Sequence, residues 1–469
     1  MMKRFRTVCM FFLLLFSGEL LAQTVTLSGT VSGFEPGSLV RVLVYADQFS
    51  RLKKTVAVAR TDSSGAFQMT FPLKNTTYAL LAVNLKRTSF YLRPGGIYHF
   101  QIARDSAAYR FHSLYAPLQA TFQASDDSLN VFIERYDDLF SRFINRYFRE
   151  VYQFHNRQIL RRFEQEIKMR FAQVHDPYVK QYIHYSLASM EWGARTRSLP
   201  EIVRSEFAGH PVLYNNLQYT NFFVDFFQAY FKSTVKKPVT IDRLQQIVPM
   251  RNLKKLDALF AEAPALDSDK RVRQLAEMVQ LAALFYQPGF SRKDIESLFQ
   301  QIASQSPYPE NRQIAKNYRI KLKKMLPGTA APAFRLPDLT GKEYSLKDFR
   351  GKFVLIGFID TRCPVCNNQL QQVERMQKDL IDFTNLTIVA GKVTPAFLQN
   401  AKPLQRQWPF LLLGKDILLL EKYQIVNYPA YVLIGPSGQI VMAPAPMPEE
   451  NLEQRIHSVI EAYKKRLQN

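Results

Sequence analysis

The sequence predicts a multidomain protein with an N-terminal antiparallel β-sandwich, an all-α middle region and a C-terminal α/β domain. Three observations predict this division: short alternating strands near the start, apolar positions at helical spacing in the middle, and a strand–turn–helix pattern near the end. A chain of 469 residues is long enough for about two to four domains. The predicted segments are a signal peptide at 1–22, the β-domain at 23–107, the helical domain at 108–325, a linker at 326–332 and the C-terminal domain at 333–469.

The first 22 residues have the pattern of a secretory signal peptide. Lys3, Arg4 and Arg6 precede a short apolar run over 8–16, and a cleavage site fits directly after Ala22. The run is shorter than the roughly 20 apolar residues that a membrane-spanning helix needs. We therefore expect export followed by cleavage, with no stable membrane span in the mature chain. Retention of the segment as an anchor is the alternative.

The segment 23–107 is expected to form a small antiparallel sandwich. Alternating runs such as 24–31 and 39–45 are separated by turn residues at Pro36-Gly37 and at 62–65. This segment contains no recognisable catalytic constellation. Its expected role is docking or spacing.

The segment 108–325 changes to a helical period. Apolar residues between 132 and 151 form one broad stripe, and further helices are predicted at 253–262, 269–286, 292–304 and 310–325. The many aromatic residues at helical spacing are expected in the core rather than in a ligand pocket. Three histidines of this region, His155, His175 and His184, could be proposed as metal ligands, but they lack the spacing of a metal site, so no metal site is predicted.

The C-terminal part is organised around a strand that leads into two cysteines. Residues 353–359 are a nearly continuous apolar run, as expected for a strand buried on both faces, and apolar positions from Leu370 onward have helical spacing. Cys363 and Cys366 therefore lie where a helix begins and where unpaired N–H groups favour a thiolate. The only other cysteine is in the signal segment, so the pair favours dithiol–disulfide exchange. A local disulfide that only stiffens a loop is the alternative.

Several segments after the linker have the order and spacing of a known domain. They are 331–334 together with 339–342, then 346–352, the Cys363–Cys366 pair and 423–434. Residues 331–465 thus resemble the thioredoxin-like domain of the TlpA-type exported thiol–disulfide oxidoreductases. The β-segment resembles the N-terminal β-domain often fused ahead of such domains in exported proteins of Gram-negative bacteria. These resemblances imply a location in the periplasm or cell envelope of a Gram-negative bacterium.

The resemblance also assigns roles to individual residues. It implies that Cys363 is the attacking thiol, Cys366 the resolving thiol, and Tyr428-Pro429 a cis-proline turn that holds an extended client. Arg362 is expected to lower the pKa of the Cys363 thiol and to contact the client. A solvated surface arginine is the alternative for Arg362. No cofactor or metal is expected besides the redox-active Cys363–Cys366 disulfide.

Three positions depart from the pattern of the resembled family. Arg362 stands where a tryptophan is usual, Gly357 where many thioredoxins bury an acid, and Gln369 where related reductases often have glutamate. Asp360 and Glu374 are possible replacements as proton acceptors, with solvated acids as the alternative. These departures leave the rate and the reduction potential open.

The function predicted from the sequence is that of a periplasmic thiol–disulfide oxidoreductase. It would reduce or exchange disulfides of envelope client proteins and be recharged by a membrane electron donor, but the sequence does not decide the direction of electron flow. The formal net charge of +22 is scattered and accompanies no nucleic-acid-binding module, so no nucleic-acid partner is expected. The motifs of a thiol peroxidase, a copper chaperone and a haem-attachment site are missing. The main alternative is an envelope binding or scaffold protein with a redox-weak thioredoxin-like domain.

Overall fold

The computed structural model describes residues 22–104, 114–115, 117–124, 128–230, 239–377 and 383–468. The predicted signal peptide lies outside these ranges except for Ala22. Within them, no helix has both the length and the apolar character that crossing a membrane requires.

The N-terminal part forms two four-stranded sheets around one hydrophobic cluster. Its strands are β1 (Gln23–Ser32), β2 (Leu39–Tyr45), β3 (Lys53–Arg60), β4 (Ala66–Leu73), β5 (Thr77–Val83), β6 (Lys86–Leu92), β7 (Ile97–Ala103) and β8 (Gln119–Ala124). The strand orders are β4-β1-β7-β8 and β3-β2-β5-β6. Alternate residues of both sheets, such as Leu27 and Val42, are buried in the same cluster, as period-two alternation requires. We call this part the two-sheet unit.

Two expectations for this region are wrong. Strand β1 pairs in parallel with β7, so the strands are not all antiparallel. Strand β8 pairs with β7, which extends the sheet beyond the predicted boundary at residue 107. Alternation determines which face of a strand is buried but not the direction of its neighbour. Strand β8 forms a backbone ladder with β7, and the ring of its Phe122 stacks on Phe100 at a centroid distance of 4.8 Å.

The middle part is helical in its described residues. Its helices are α1 (Ser128–Tyr152), α2 (Arg157–Arg170), α3 (Pro177–Gly193), α4 (Leu199–Ile202), α5 (Leu217–Tyr230), α6 (Ile241–Ile247), α7 (Leu253–Ala261), α8 (Lys270–Leu284), α9 (Arg292–Gln305) and α10 (Pro309–Lys323). Helices α7 to α10 match the four predicted helices to within two residues at each end. The aromatic residues of α5, such as Phe223 and Phe227, are buried in the core of this part as predicted. His184 hydrogen-bonds the Glu206 carboxylate at 2.8 Å.

The C-terminal part is a five-stranded mixed sheet with helices on both faces. After the hairpin β9 (Arg335–Pro337) and β10 (Glu343–Ser345), its elements are β11 (Phe353–Asp360), α11 (Pro364–Gln377), β12 (Phe383–Ala390), α12 (Pro395–Gln405), β13 (Phe410–Leu412), α13 (Leu418–Lys422), β14 (Ala430–Ile434), β15 (Ile440–Ala445) and α14 (Leu452–Gln468). The strand order is β13-β12-β11-β14-β15. Strand β11 is parallel to β12 and antiparallel to β14. The predicted burial of β11 is confirmed, since residues 353–359 are all buried.

The two-sheet unit packs against both other parts through buried apolar side chains. Phe49, in the loop after β2, belongs to the core cluster of the helices, and its carbonyl accepts a hydrogen bond of 3.0 Å from the Tyr318 hydroxyl. Leu85, in the turn between β5 and β6, belongs to a core cluster of the C-terminal sheet. Such side chains are each expected to contribute about 1.5–3 kcal/mol when removed from water. The unit is therefore a bridge between the helices and the C-terminal sheet.

A partly buried ion-pair group joins the two-sheet unit to α13. Arg41, which is only 4% exposed, donates to Glu421 Oε2 at 2.8 Å, and Arg87 Nη2 lies 3.4 Å from the same oxygen. Burial raises the pKa of Glu421, but the hydrogen bond and charge of Arg41 and the charge of Arg87 outweigh it. The pKa of Glu421 therefore lies below its ordinary value of 4.5.

We predict that Glu421→Gln lowers the stability of the full chain at neutral pH by about 2 kcal/mol, because Arg41 stays buried without its counter-charge. Since folding lowers the pKa of Glu421, its stabilisation is present above pH 4.5 and is lost as the pH falls through the folded value. The difference in unfolding free energy between the variant and the wild type should therefore be smaller at about pH 3 than at neutral pH. Thermal and urea unfolding at the two pH values test this.

The matched control is Glu343→Gln, which removes the exposed ion pair between Glu343 and Arg335. Exposed pairs contribute little to stability, so this variant should unfold at nearly the wild-type midpoint. Equal shifts of the unfolding midpoint in the two variants would contradict the role given to Glu421.

Candidate redox-active site

The end of β11 and the start of α11 position the two cysteines. Strand β11 ends at Asp360, whose carbonyl accepts a 3.0 Å hydrogen bond from the Cys363 N–H. Helix α11 then begins at Pro364, a position where the missing N–H of proline costs no helical hydrogen bond. Cys363 thus directly precedes the helix, and Cys366 lies in its first turn.

Cys363 and Cys366 form a disulfide whose Cα atoms lie 5.3 Å apart. Cys363 is half-buried, whereas Cys366 is 1% exposed. The backbone N–H of Cys366 points at Cys363 Sγ at a distance of 3.2 Å. In the reduced protein, such a donor at a helix N-terminus stabilises a thiolate at Cys363. The accessible sulfur is therefore also the one with a stabilised anionic form.

The turn before β14 lies beside the disulfide. The Tyr428–Pro429 peptide bond is cis, and β14 follows at once, with Ala430 opposite Phe358 of β11. Because β11 leads to Cys363, this pairing brings the turn and the disulfide to the same edge of the sheet. Tyr428 and Cys363 accordingly pack against one hydrophobic cluster. Burial, and secondarily the nearby Asp360 carboxylate, raises the pKa of Tyr428 above its ordinary value.

Arg362 is bound to an acid of the same turn. Its Nε donates to Asp360 Oδ1 and its Nη2 to Asp360 Oδ2, both at 3.0 Å. The backbone N–H of Arg362 also donates to Oδ1 at 2.9 Å. A carboxylate so close to the guanidinium offsets much of its field at Cys363. Arg362 is thus expected to affect the thiol less than an arginine with no acid beside it would.

The two acids considered as proton acceptors are both engaged elsewhere. Asp360 holds Arg362, as described above. The Glu374 carboxylate accepts a hydrogen bond of 2.5 Å from Gln407 Nε2 near the surface. The geometry therefore favours neither acid as the proton acceptor of the dithiol.

Sequence reasoning named Gly357 and Gln369 as departures but missed the two residues that contact them, Tyr431 and Glu449. A Cβ at Gly357 would lie 3.1 Å from Tyr431 Cε1, so the ring of Tyr431 occupies the space of the acid that many thioredoxins bury there. Buried Gln369 donates Nε2 to Glu449 Oε1 at 2.5 Å. Burial, and then the charge of Glu449, raises the pKa of Tyr431. Gln369 and Glu449 are 80 residues apart, so no local spacing in the sequence could have connected them.

The fold and site define a thioredoxin-like domain. Residues 327–443, about a quarter of the chain, match the AhpC/TSA family. The parallel β11–β12 pair, the antiparallel β14 and the disulfide at the start of α11 all lie within this match. The remainder of the chain is outside it.

Three similar proteins each match less than a third of this chain. The thioredoxin-like protein YneN of Bacillus subtilis is 29% identical over 136 residues, which are 28% of this chain and 78% of YneN. The thiol-disulfide oxidoreductase ResA of Geobacillus kaustophilus is 27% identical over 136 residues, which are 28% of this chain and 77% of ResA. Among solved structures, the thioredoxin domain of a thiol-disulfide oxidoreductase from Bacteroides vulgatus has 28% identity and a TM-score of 0.26, covering 29% of this chain and 97% of that one.

We predict that Asp360→Asn lowers the pH midpoint for alkylation of reduced Cys363 by about one pH unit, since it removes a negative charge and leaves the Arg362 guanidinium unneutralised. Arg362→Gln should raise the same midpoint by a smaller amount. The measurement is the rate of iodoacetamide reaction as a function of pH, with peptide mass analysis to identify the labelled thiol.

Glu461→Gln, which removes an exposed acid of α14, serves as the control for net charge. Its midpoint should equal that of the wild type. If all three variants share the wild-type midpoint, the Asp360–Arg362 pair has no influence on the thiol.

Proposed function

We propose that this protein is an exported thiol–disulfide oxidoreductase that reduces or exchanges disulfides of envelope proteins through Cys363 and Cys366. One observation carries the proposal: the disulfide joins an accessible sulfur at a helix N-terminus to a buried sulfur one turn further on. The relatives named as thiol-disulfide oxidoreductases support the same chemistry for this domain.

The exchange follows from this asymmetry of the two sulfurs. In the reduced protein, the Cys363 thiolate attacks one sulfur of a client disulfide, and the other client sulfur leaves as a thiolate. Cys366 then loses its proton and attacks Cys363 Sγ, which breaks the mixed disulfide and releases the second client thiolate. Two electrons pass from the protein dithiol to the client, whose thiolates take up protons according to the pH. The reverse sequence oxidises a client dithiol.

The client is proposed to lie along the turn at Tyr428 and Pro429, next to Arg362. An extended segment there would use the backbone of the turn for hydrogen bonds. Two apolar side chains near the site are exposed to solvent, Val365 at 57% and Val426 at 54%. Val365 lies between the two cysteines and Val426 lies two residues before Tyr428. They provide apolar surface on which a client chain packs.

The proposed location is the periplasm or cell envelope of a Gram-negative bacterium, and the proposed electron source is a membrane donor. The signal-like segment and the family resemblance support both. The dithiol needs no cofactor for this exchange. The two-sheet unit is proposed to be a β-sandwich and the helices an all-α domain, which together present the redox domain to its partners.

A second candidate is an envelope binding protein whose redox domain is weak. Tyr431 covering Gly357, and Gln369 in place of glutamate, favour it because no carboxylate is buried behind the disulfide at these two positions. The accessibility of Cys363 and the Cys366 N–H directed at its sulfur favour the oxidoreductase instead.

We predict that the wild-type chain reduces insulin with dithiothreitol as electron source, and that Cys363→Ser lowers this rate by at least about 100-fold because the nucleophile is lost. Turbidity from the released insulin B chain is the measurement. Thermal unfolding of Cys363→Ser is the folding control. A wild-type rate no greater than that of Cys363→Ser would support the binding-protein alternative.

We further predict that Cys366→Ser accumulates a mixed disulfide with the client, because the thiol that resolves it is absent. Non-reducing electrophoresis and mass analysis should locate the linkage at Cys363. The double variant Cys363→Ser/Cys366→Ser should trap nothing. Equal trapping by Cys363→Ser alone would contradict the distinct roles given to the two cysteines.

A further inference from the structure

A groove lies where the helices, the linker and the redox domain meet, on the side away from the β11–α11 turn that carries the disulfide. Its volume is about 580 Å³, which is within the range of small-molecule sites. Helix α10, the segment 324–332 and helix α13 form its walls, and Arg41 of the two-sheet unit also lines it. The groove therefore touches all three parts of the chain. We call it the junction groove.

Apolar side chains form much of the wall of the junction groove. They are Ile320 of α10, Met325 and Pro332 of the connecting segment, and Leu418 of α13. Ile320 is 60% exposed, so the groove leaves a large apolar side chain in contact with water. Covering such a side chain with another apolar group is favourable. The wall thus favours a ligand with an apolar chain.

Several polar groups of the same wall already have hydrogen-bond partners. The Thr329 hydroxyl donates to the Leu326 carbonyl at 2.7 Å, and the Thr329 carbonyl accepts from the Ile440 N–H at 2.7 Å. The Pro332 carbonyl accepts from the Tyr423 hydroxyl at 2.7 Å. A peptide backbone placed against this wall would lose water without gaining these partners, which costs free energy. An acyl chain has no such groups, so the wall favours an acyl chain over a peptide.

The junction groove also carries positive charge that its own acid does not neutralise. Glu421 on the lining is held by the two arginines of the ion-pair group described above, and Lys323 is ion-paired with Glu296. Lys324 and Lys422 are exposed on the same lining. Neither of these two side chains forms an ion pair or a hydrogen bond with any residue that the structure describes. An anionic group beside them is therefore favoured.

We propose that the junction groove binds a fatty acid, with the acyl chain along the apolar wall and the carboxylate at Lys324 and Lys422. The inference goes beyond the proposed exchange activity and does not rest on it. A ligand in this position contacts α10, the linker and α13 together. Its binding should therefore also raise the temperature at which the chain unfolds.

The test is isothermal titration calorimetry of the oxidised full chain with dodecanoate below its micelle concentration. We expect saturable binding of a single dodecanoate per chain. Octanoate, whose chain is shorter, should bind at least about tenfold more weakly because it buries less apolar surface. Dodecyltrimethylammonium, which pairs the same chain length with the opposite charge, should also bind at least about tenfold more weakly because Lys324 and Lys422 repel it.

Variants of the groove separate the two parts of the ligand. Lys324→Glu/Lys422→Glu should weaken dodecanoate binding at least about tenfold and reduce the preference over dodecyltrimethylammonium. Ile320→Ser should weaken dodecanoate binding but keep that preference. The matched control is Lys74→Glu/Lys464→Glu, which makes the same charge change at two exposed lysines outside the groove. It should bind dodecanoate as the wild type does.

A dodecanoate analogue with a photoreactive diazirine locates the site, since peptides that contain Ile320 or Leu418 should carry the label after irradiation. The inference is overturned if the wild type shows no saturable binding, if the groove double-lysine variant binds like the wild type, or if the label lies only outside the groove. Hexaglutamate, an acidic peptide with no acyl chain, should not displace dodecanoate. Displacement by hexaglutamate would overturn the inference and assign the groove to an acidic protein segment.

Discussion

The arrangement of the whole chain depends on the two-sheet unit burying one side chain in the core of each neighbour. Phe49 enters the helical core, and Leu85 enters a core cluster of the thioredoxin-like sheet. The ion-pair group of Arg41, Arg87 and Glu421 adds a directional contact on the second side. Because these contacts are buried, the unit is held beside the redox domain. Because of that docking, residues of the two-sheet unit and of the redox domain line one cleft that includes Asp360 and Tyr428.

Within the redox domain, the chemistry depends on the unequal environments of the two sulfurs. The helix N-terminus and the Cys366 N–H favour negative charge on Cys363. The burial of Cys366 disfavours its thiolate, so we expect Cys366 to lose its proton only when the mixed disulfide at Cys363 is resolved. This asymmetry assigns attack and resolution without any further group. The intact Asp360–Arg362 pair adds little to the field at the first sulfur, since its two charges nearly cancel at a distance.

The departures from the usual thioredoxin pattern have a common structural result. The ring of Tyr431 covers Gly357, and Gln369 donates a hydrogen bond to the exposed carboxylate of Glu449. A carboxylate is thus present near α11 but at the surface instead of in the core. Because an exposed carboxylate keeps its charge more easily than a buried one, we expect it to be a poorer proton acceptor for a buried thiol at neutral pH. The neutral tyrosine and amide behind the disulfide would therefore make deprotonation of Cys366 slower than in a domain with a buried acid.

The sequence by itself determined the local elements and the location of the chemistry. The apolar run of β11, the helical period after Leu370 and the spacing of Cys363 and Cys366 all depend on neighbours a few residues apart, where periodicity is informative. The helices α7 to α10 were predictable for the same reason. Only the tertiary structure decided the parallel pairing of β1 with β7, the placement of β8 in the sheet, the contact of Glu449 with Gln369, and the ion pair of Arg41 with Glu421. These depend on which distant segments pack together, and that choice is made by the summed burial of apolar surface, which no short stretch of sequence contains.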